Sequence, residues 1–421
     1  MKRIVITGMG AVTPLGTGVP LIWKQLLAGK SGITALPSSL ADGSPIKIGG
    51  RVLSHDENPI VGLDVVKFIN AKELRRMDRF IQFALIAAEE AIHQAGWIPN
   101  NDDERERTAT IIASGVGGFT SIANAVRKGE AEGVDRLSPF TIPSFLVNLA
   151  AGQVALKHQF KGPIGAPVTA CAASVQAIGD AMRLIHTGEA EIAICGGAEG
   201  CIDKVSLGGF AAAKALSTQY QHAPERASRP FDVNRDGFVM SEGAGILVVE
   251  SLDHALARGA IPLAELVGYG TSSDAYHITS SPEDGAGAAR AMSIAIKQAG
   301  LSPQDIDHIN AHATSTPVGD AGELAAIKTV FGARHARPII SATKSSTGHL
   351  LGAAGGLEAI LTTLAIRNQC CPPTINLEQT DDSAAGLSIT GLIPQPHEIK
   401  YALSNGFGFG GVNASIVIKK Y

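Results

Sequence analysis

A short internal repeat is the feature that most constrains the fold of this 421-residue chain. The segment AIHQAG at residues 91–96 recurs as AIKQAG at residues 295–300. Each copy closes a stretch with helical spacing of apolar residues, and each is followed by an apolar run that is typical of a strand, ATIIASG and DHINAH respectively. The matching order of elements predicts an internal duplication, with its seam near residue 258.

Strand-like and helix-like stretches alternate along the rest of the chain. RIVITGMG predicts a strand that ends in glycines, DRFIQFALIAAEEAIHQAG a helix, and TATIIASG and AEIAICGGAE two further strands. A second pair of segments is loosely similar, because PVTACAASVQAIGDAM and IISATKSSTGHLLGAAGG both read as strand, polar cluster and small-residue helix. This alternation favours an α/β architecture with mainly buried sheets.

Composition excludes several classes of partner. The net charge of −4, without a long basic run, gives no support for a nucleic-acid surface. No apolar stretch approaches the roughly 18 residues of a membrane span, and the N-terminal apolar run is too short for a signal peptide. The 5 cysteines are sparse and odd in number, which suggests a reducing compartment. We therefore expect a cytoplasmic protein with neither a membrane nor a nucleic-acid partner.

Cys171 is the first candidate for a reactive group. Apolar residues at 175, 178, 182 and 185 predict a helix that begins just after it. Unpaired N–H groups at a helix start stabilise a thiolate by at most ~2 kcal/mol, or roughly 1.5 pKa units, which brings a thiol from about 8.5 only to about neutral. We therefore expect a basic partner for this sulfur. An inert buried cysteine remains the alternative from this segment alone.

Two polar segments in the second half supply candidate partners. INAHATSTPVGD places His312 just after an apolar strand, and SATKSSTGHLLGAAGG places Lys344 and His349 on a polar loop that leads into a helix. That helix is expected to bury one stripe, formed by Leu350, Ala354, Leu357, Leu361 and Leu364. The four-residue spacing of His308 and His312 is compatible with metal binding, but without HExxH or paired CxxC motifs we expect no metal.

Two glycine-rich stretches have different meanings. GMGAVTPLG lacks the third glycine of a dinucleotide loop, and Pro14 follows where a helix should begin, so we reject nucleotide binding. SNGFGFGGVNASIVI at residues 404–418 alternates glycine with phenylalanine before a terminal strand. Such a loop can present an N–H to an oxyanion beside a phenyl ring, and a plain hairpin turn is the alternative.

Four motifs in this order carry a family resemblance: TAC, NAHATSTPVGD, SATKSSTGHLLGAAGG and SNGFGFGGVNAS. With them the chain resembles the β-ketoacyl-acyl-carrier-protein synthases over essentially its whole length, most closely the type II condensing enzymes of bacterial fatty acid synthesis. The resemblance implies a thiolase-like, five-layered αβαβα fold made of two duplicated halves. Residues 1–258 would carry the nucleophilic cysteine and residues 259–421 the two catalytic histidines, usually in a homodimer.

The resemblance also implies catalytic roles. Cys171 would attack the thioester of an acyl primer and hold it as an acyl-enzyme. His312 and His349 would hold the malonyl thioester carbonyl, promote decarboxylation and stabilise the enolate, with at least one neutral imidazole donating a hydrogen bond. Lys344 would order the site electrostatically and pair with Glu358, which lies at the edge of the apolar stripe of its helix.

Binding roles follow from the same resemblance. The N–H groups of the nucleophile and of Phe409 would form an oxyanion hole, worth ~3 kcal/mol per donor. Thr314 and Thr316 would bind the phosphopantetheine arm. Phe409 and Phe210 would gate the acyl pocket, and Val116 would limit its depth and hence the length of the acyl chain.

Substrates and partners are implied in the same way. Acyl and malonyl thioesters would arrive on the phosphopantetheine of an acyl carrier protein, with no other cofactor. The acidic carrier would dock near Arg75 and Arg76, or near Arg127 and Lys128.

Other members of the superfamily fit less well. A biosynthetic thiolase has a second cysteine near its C-terminus, whereas Cys370 and Cys371 precede the last glycine loop. A type III initiating synthase has asparagine for one histidine, and a non-catalytic chain-length partner lacks the nucleophile. A stand-alone ketosynthase of a polyketide or specialised lipid pathway remains open. Alanine after the cysteine, in CAAS, occurs in type I enzymes and leaves the type I or type II subtype open.

Overall fold

A computed structural model of the chain describes residues 2–332 and 338–421. The α-helices are α1 Val19–Leu27, α2 Ser38–Ala41, α3 Ala71–Leu74, α4 Arg79–Ala95, α5 Asp102–Glu106, α6 Phe119–Glu132, α7 Thr141–Phe145, α8 Leu149–His158, α9 Ala173–Thr187, α10 Lys204–Ala212, α11 Leu252–Ala257, α12 Ala286–Gln298, α13 Pro317–Phe331, α14 Lys344–Thr347 and α15 Ala354–Asn368. Single 3-10 turns span Val65–Lys67, Val134–Arg136, Ala170–Ala172, Pro224–Arg226, Pro303–Asp305, Leu351–Ala353 and Asp382–Ala384. The strands are β1 Ile4–Thr13, β2 Gly16–Thr17, β3 Thr34–Ala35, β4 Ile48–Gly49, β5 Thr108–Ala113, β6 Ile164–Gly165, β7 Ile192–Glu199, β8 Gly243–Ser251, β9 Ala264–Ser273, β10 His308–Asn310, β11 Ile339–Ser341, β12 Cys370–Cys371, β13 Ser388–Ile389, β14 Gln395–Pro396, β15 Tyr401–Gly408 and β16 Val412–Lys419.

Strand order shows the duplication directly. In the first half the order is β6-β5-β7-β8-β1, and in the second it is β11-β10-β15-β16-β9, with β13 added outside β11. The directions match as well: β5 is parallel to β6 and β7, and β10 is parallel to β11 and β15, whereas β7, β8 and β1, and likewise β15, β16 and β9, pair antiparallel in sequence. The added strand β13 is parallel to β11. β1 and β9 join the halves as an antiparallel pair. The predicted internal repeat is therefore confirmed at the level of topology.

Three buried clusters define the layers. One cluster includes residues of α4 and α8 against one face of the first half's strands, and another includes residues of α12 and α13 against the second half's strands. The largest cluster combines α9 and α15 with residues from both sets of strands. Helices therefore alternate with sheets in the predicted αβαβα order, and α9 and α15 form the central layer. Within the described ranges no helix is both long and apolar enough to cross a membrane.

The outer helices follow the sequence pattern closely. The DRFIQFALIAAEEAIHQAG segment forms α4, which buries Phe80, Ala84, Ala87 and Ala91 and ends at Gly96 in a left-handed conformation, φ 62°. Strands at TATIIASG, AEIAICGGAE and DHINAH are confirmed as β5, β7 and β10.

Two expected strand boundaries are wrong. β1 does not end at its glycines, because Gly8 and Gly10 pair with Val248 and Ile246 of β8 and the strand continues to Thr13. PVTAC does not form a strand. The short strand lies earlier, at β6, and a turn already holds the cysteine.

The central helix α15 also departs from its prediction. Leu350 precedes the helix and Leu364 is only half-buried, whereas Glu358, Thr362 and Thr363 are buried. No single stripe exists, because the helix lies between two sheets and packs on both sides. The buried Thr362 and Thr363 hydroxyls donate hydrogen bonds to the backbone carbonyls four residues earlier in the helix.

Candidate active site

The predicted nucleophile and both predicted histidines meet in one place. His349 Nε2 lies 2.9 Å from Cys171 Sγ, and the rings of His312 and His349 are edge to face with centroids 5.5 Å apart. The sulfur and one nitrogen of each imidazole lie within 4.8 Å of one another. They face a cavity of about 560 Å³. The three residues come from three separate segments, so only the fold brings them together.

Local structure explains how each side chain arrives there. Cys171 occupies the 3-10 turn that precedes α9, and His312 follows β10 directly. His349 follows α14 and donates its backbone N–H to the Val239 carbonyl at 2.8 Å. The parallel strands β10 and β11 run in the same direction, so the segments that leave their carboxyl ends converge at one edge of the sheet.

The thiol differs from its sequence-based expectation. Burial raises the pKa of Cys171 to about 12, and the Lys344 ammonium opposes this rise only in part. The helix start therefore does not bring the thiol to neutrality, because removal of water outweighs the field of the turn. The expected basic partner is present, however, since His349 lies within hydrogen-bond distance of the sulfur.

Both histidines are held in their neutral forms. Burial lowers the pKa of His349 well below its usual value, and the Lys344 ammonium lowers it further. Burial and the same charge also lower the pKa of His312. Neutral imidazoles can accept a thiol proton or donate to developing negative charge, as their predicted roles require.

Lys344 and Glu358 form the predicted ion pair. Their side chains are almost fully buried, and Nζ donates to Oε1. Burial raises the pKa of Glu358 to about 7, whereas the ammonium lowers it. The Lys344 ammonium lowers the pKa values of the thiol and of both imidazoles, whereas the Glu358 carboxylate raises the pKa of the thiol.

The five remaining predicted residues all line the cavity. Four of them line the cavity together with the catalytic cluster: Val116, Phe210, Thr314 and Thr316. The Thr314 and Thr316 hydroxyls are 3.1 Å apart. Phe409 also lines the cavity, 6.4 Å from Phe210 between ring centroids.

The glycine-rich segment is a hairpin that also reaches the thiol. β15 and β16 pair along their full length, and Phe409 stands at the turn with 40% of its surface exposed. A Cβ on Gly408 would lie only 3.1 Å from the Cys171 backbone nitrogen. Glycine is needed there because the two backbones approach so closely. Both sequence interpretations of this segment are therefore compatible with the structure.

A buried carboxylate that is not among the predicted site residues lies behind His312. Glu323 accepts hydrogen bonds from the His312 and Ala313 N–H groups at 2.8 and 2.6 Å, and from Asn405 Nδ2 at 3.0 Å. The signal was present, because Asp320 and Glu323 share helical spacing with buried Ile327 on α13. An acid on an apolar helix face is unusual and indicates a structural or functional partner.

Phe407 and Phe238 were also not assigned to the site. Phe407 lies 5.6 Å from the His312 ring and Phe238 lies 5.3 Å from the His349 ring, both edge to face. These contacts fix the planes of the two imidazoles.

The cluster does not resemble a finished metal centre. Its three donor atoms are close enough to share an ion, but both Nδ1 atoms are buried without a partner. Metal-ligating histidines usually donate from their second nitrogen to a nearby acceptor. His308 takes no part, because its Nε2 lies 3.0 Å from Ser341 Oγ in the core. We therefore interpret the cluster as a nucleophile with its base.

Comparison with known proteins identifies the family. The Beta-ketoacyl synthase N-terminal domain matches residues 1–255 and the C-terminal domain matches residues 263–378. The chain is 47% identical to 3-oxoacyl-[acyl-carrier-protein] synthase 2 of Rhizobium meliloti, covering 100% of this chain and 99% of the relative. It is 44% identical to the mitochondrial 3-oxoacyl-[acyl-carrier-protein] synthase of Arabidopsis thaliana, covering 99% and 93%.

Solved structures agree. A beta-ketoacyl synthase from Burkholderia phymatum superposes with a TM-score of 0.91 at 32% identity, covering 100% of both chains. A type II polyketide ketosynthase bound to its acyl-carrier protein superposes with a TM-score of 0.90 at 34% identity, also covering 100% of both chains. The chain therefore belongs to the β-ketoacyl synthase family, with its thiolase-like fold, and is an acyl-transferring condensing enzyme.

Proposed function

We propose that the chain is a 3-oxoacyl-acyl-carrier-protein synthase, which condenses malonyl-carrier protein with an acyl primer held on Cys171 and lengthens the acyl chain by two carbons. The observation that carries the proposal is the convergence of Cys171 Sγ with the His312 and His349 imidazoles within 4.8 Å at the cavity. The relatives named 3-oxoacyl-acyl-carrier-protein synthase, at 44% and 47% identity, favour fatty acid elongation over a specialised ketosynthase.

Acyl transfer would come first. The Cys171 sulfur attacks the carbonyl of the acyl thioester while its proton passes to His349 Nε2, which lies 2.9 Å away. The backbone N–H groups of Cys171 and Phe409 receive the oxyanion. Collapse of this intermediate breaks the old carbon–sulfur bond, and the departing pantetheine thiolate takes the proton from His349, which returns to its neutral form. The high pKa of the free thiol makes this base necessary.

Condensation would follow in the same cavity. His312 and His349 donate hydrogen bonds to the malonyl thioester carbonyl, so loss of CO₂ leaves a stabilised enolate. Its carbon attacks the acyl carbonyl, and a new carbon–carbon bond forms. The Cys171 thiolate is expelled and takes up one proton from solvent. The nearby Lys344 ammonium favours each anion, and burial together with this charge keeps the imidazoles neutral.

The carrier and its arm have candidate contacts. Thr314 and Thr316 line the cavity and would bind the phosphopantetheine, and no other cofactor enters the scheme. Arg75 is exposed, and the Arg76 guanidinium lies 4.2 Å from the Phe140 ring. These cations, or exposed Arg127 and Lys128, would receive the acidic carrier. The polyketide ketosynthase that superposes on this chain is in complex with its own acyl-carrier protein.

A homodimer is proposed on the surface around β6. This strand ends the large sheet and exposes Ile164 to 54%, and α6 has no buried residue. Pairing of β6 with a second copy would satisfy the free strand edge and cover the apolar surface. Light scattering should give twice the chain mass, and Ile164→Lys should shift it toward the monomer.

We place the boundary between the halves at residue 258, so that residues 1–258 and 259–421 are the two ketosynthase halves. The boundary falls between α11 and β9, the strand that opens the second set. We also propose a cytoplasmic location, supported by the sparse free cysteines.

Intact mass tests the proposed function. Incubation with acyl-carrier thioesters of graded length should add one acyl group, and Cys171→Ala should prevent the addition. Malonyl-carrier protein should then discharge the adduct as β-ketoacyl-carrier protein. His312→Ala should retain the adduct and lose discharge.

Each failure has its own meaning. An adduct that malonyl-carrier protein never discharges from the unsubstituted protein would contradict the condensing roles of the histidines. No adduct at any length would contradict the nucleophilic role of Cys171 toward carrier-bound acyl groups. A length profile restricted to unusual primers would favour the specialised ketosynthase alternative.

A further inference from the structure

Glu199 is a buried carboxylate that the mechanism above does not use. It ends β7 and is fully buried. Its Oε1 accepts from Ser114 Oγ at 2.8 Å and from the Val116 N–H at 3.3 Å. Its Oε2 accepts from the N–H groups of Gly115 and Gly352 at 2.8 and 3.0 Å. One side chain thus joins the segment after β5 to the turn before α15.

Both joined segments belong to the site. Val116 lines the cavity, and Gly352 lies in the turn that begins two residues after His349. None of the four donors to Glu199 is a cation. A buried carboxylate held only by neutral donors keeps its place through the number and direction of its hydrogen bonds.

Close packing makes the arrangement specific. A Cβ on Gly115 would lie 2.9 Å from Glu199 Oε2, and one on Gly352 would lie 2.1 Å from the Gly115 nitrogen. The two backbones can therefore converge on the carboxylate only because neither carries a side chain. In the second half Glu323 does the same for the segment after β10, by accepting from the His312 and Ala313 N–H groups.

We propose that Glu199 is a positioning residue that sets acyl-chain specificity by holding Val116 against the turn that follows His349. The inference rests on the proposed function. Removal of the carboxylate charge weakens the hydrogen bonds that hold the segment from Ser114 to Val116. Val116 can then move, and the acyl pocket can accommodate longer chains. The segment after β5 contains neither of the two histidines and neither of the oxyanion donors. Its release should therefore change the preference for acyl-chain length more than the rates of the chemical steps.

Glu199 also acts on the nucleophile. Burial raises the pKa of the Glu199 carboxyl, and its four hydrogen-bond donors oppose this rise. In its ionised form Glu199 raises the pKa of Cys171, in addition to the larger effect of burial. Glu199→Gln should therefore lower the pKa of this thiol and speed its alkylation at a fixed pH. A residue that merely supported the fold would change the alkylation rate by the same factor at every pH and would not shift its pH dependence.

The test compares Glu199→Gln with Glu250→Gln. Glu250 is equally buried near the end of β8, but its partners are Thr7, His254 and Arg258, away from the cavity. We expect Glu199→Gln to raise the ratio of long-chain to short-chain acylation of Cys171 about fivefold, because hydrogen bonds to a charged group are lost. Its iodoacetamide alkylation should also be faster than in the unsubstituted protein. Glu250→Gln should change only the stability.

The outcomes are distinguishable. An acylation profile and an alkylation rate like those of the unsubstituted protein, in folded Glu199→Gln, would overturn the proposal while leaving the proposed function intact. If that variant does not fold, Ser114→Ala removes one donor to Oε1 and should shift the ratio in the same direction; an unchanged ratio there would overturn it too. Failure of the unsubstituted protein to take up any acyl group would instead overturn the proposed function, and the specificity role with it.

Discussion

The two halves carry the same strained turn at equivalent places and use it differently. Ala170 in the first half and Leu351 in the second have φ values of 48° and 49°, and each opens a 3-10 turn that leads into a central helix. The middle residue is Cys171 in one turn and Gly352 in the other. In one half the duplicated backbone thus presents a thiol to the cavity. In the other half it presents the Gly352 N–H, which donates a hydrogen bond to Glu199.

The segment before each turn also differs. In the first half residues 166–169 connect β6 to the turn, whereas in the second half the longer segment 342–350 follows β11. This longer segment contains α14 with Lys344 and delivers His349 to the thiol. With the same offset between halves, Glu358 of α15 stands where α9 has Ala177. Cys171 therefore sits in a short connection, whereas the His349 imidazole beside it and the Lys344 cation come from an extended one.

Lys344→Met should give the largest loss of stability. It leaves the Glu358 carboxylate buried without its ion-pair partner, and breaking such a pair costs about 3–5 kcal/mol of unfolding free energy. Urea denaturation should show the loss. Lys67→Met is the control, because its pair with Asp64 is exposed and should contribute under about 1 kcal/mol.

A double variant checks the cause. Lys344→Met combined with Glu358→Gln should recover part of the stability, since the unpaired charge is gone, but should not recover condensation. Equal losses in the single and double variants would mean that the pair contributes through packing alone.

Gly352→Ala should break the second turn, whereas Cys171→Ala should leave the first intact. The new Cβ at 352 would lie 2.1 Å from the Gly115 nitrogen, so backbone must move and we expect a loss of about 2–3 kcal/mol. Position 171 already accommodates a Cβ, and Cys171→Ala should change the unfolding free energy by under about 1 kcal/mol. Thermal unfolding of both variants measures the difference. An unchanged unfolding free energy in Gly352→Ala would show that the second turn accommodates a Cβ as the first turn does, despite the close contact with Gly115.

The repeat also separates what sequence can predict from what it cannot. Outer helix α4 was predicted well, since it buries one face and its apolar spacing shows this. Central helix α15 was not, because burial on both sides removes the alternation that marks a stripe. Cys171, His312 and His349 were selected by motif and boundary, and the fold brings them together.

Contacts made through the backbone left a weaker trace. Glu199 and Glu323 accept mainly from N–H groups, which every residue carries, so no partner residue type marks them. Only Glu323 is marked by its helical spacing with buried Ile327. The pKa of Cys171 was misjudged for a related reason. The sequence shows where a helix begins, but burial by surrounding layers depends on the whole fold.

Alkylation of Cys171 across pH tests which influence governs the thiol. With its pKa raised to about 12, the thiolate is a minor species at neutral pH, and its fraction rises about tenfold per pH unit. The iodoacetamide rate, followed by intact mass, should rise from pH 6 to pH 10 without a plateau. A plateau above about pH 8 would mean that the turn's N–H groups outweigh burial, as the sequence alone suggested.

Ala170→Gly should have the smallest effect, and its sign is informative. A left-handed conformation costs an L-residue about 1–2 kcal/mol, which glycine relieves, while its extra freedom in the unfolded chain offsets about 0.5–1 kcal/mol. The net change should be a stabilisation of up to about 1.5 kcal/mol. Leu351→Gly relieves the same strain but removes a side chain that is only 4% exposed, so it should destabilise. Changes of opposite sign in the unfolding free energy of the two variants, measured by equilibrium denaturation, would show that both turns carry the same backbone strain. They would also show that side-chain packing offsets this strain only at Leu351. A destabilised Ala170→Gly would mean that the methyl group, and not the backbone alone, keeps the nucleophile in place.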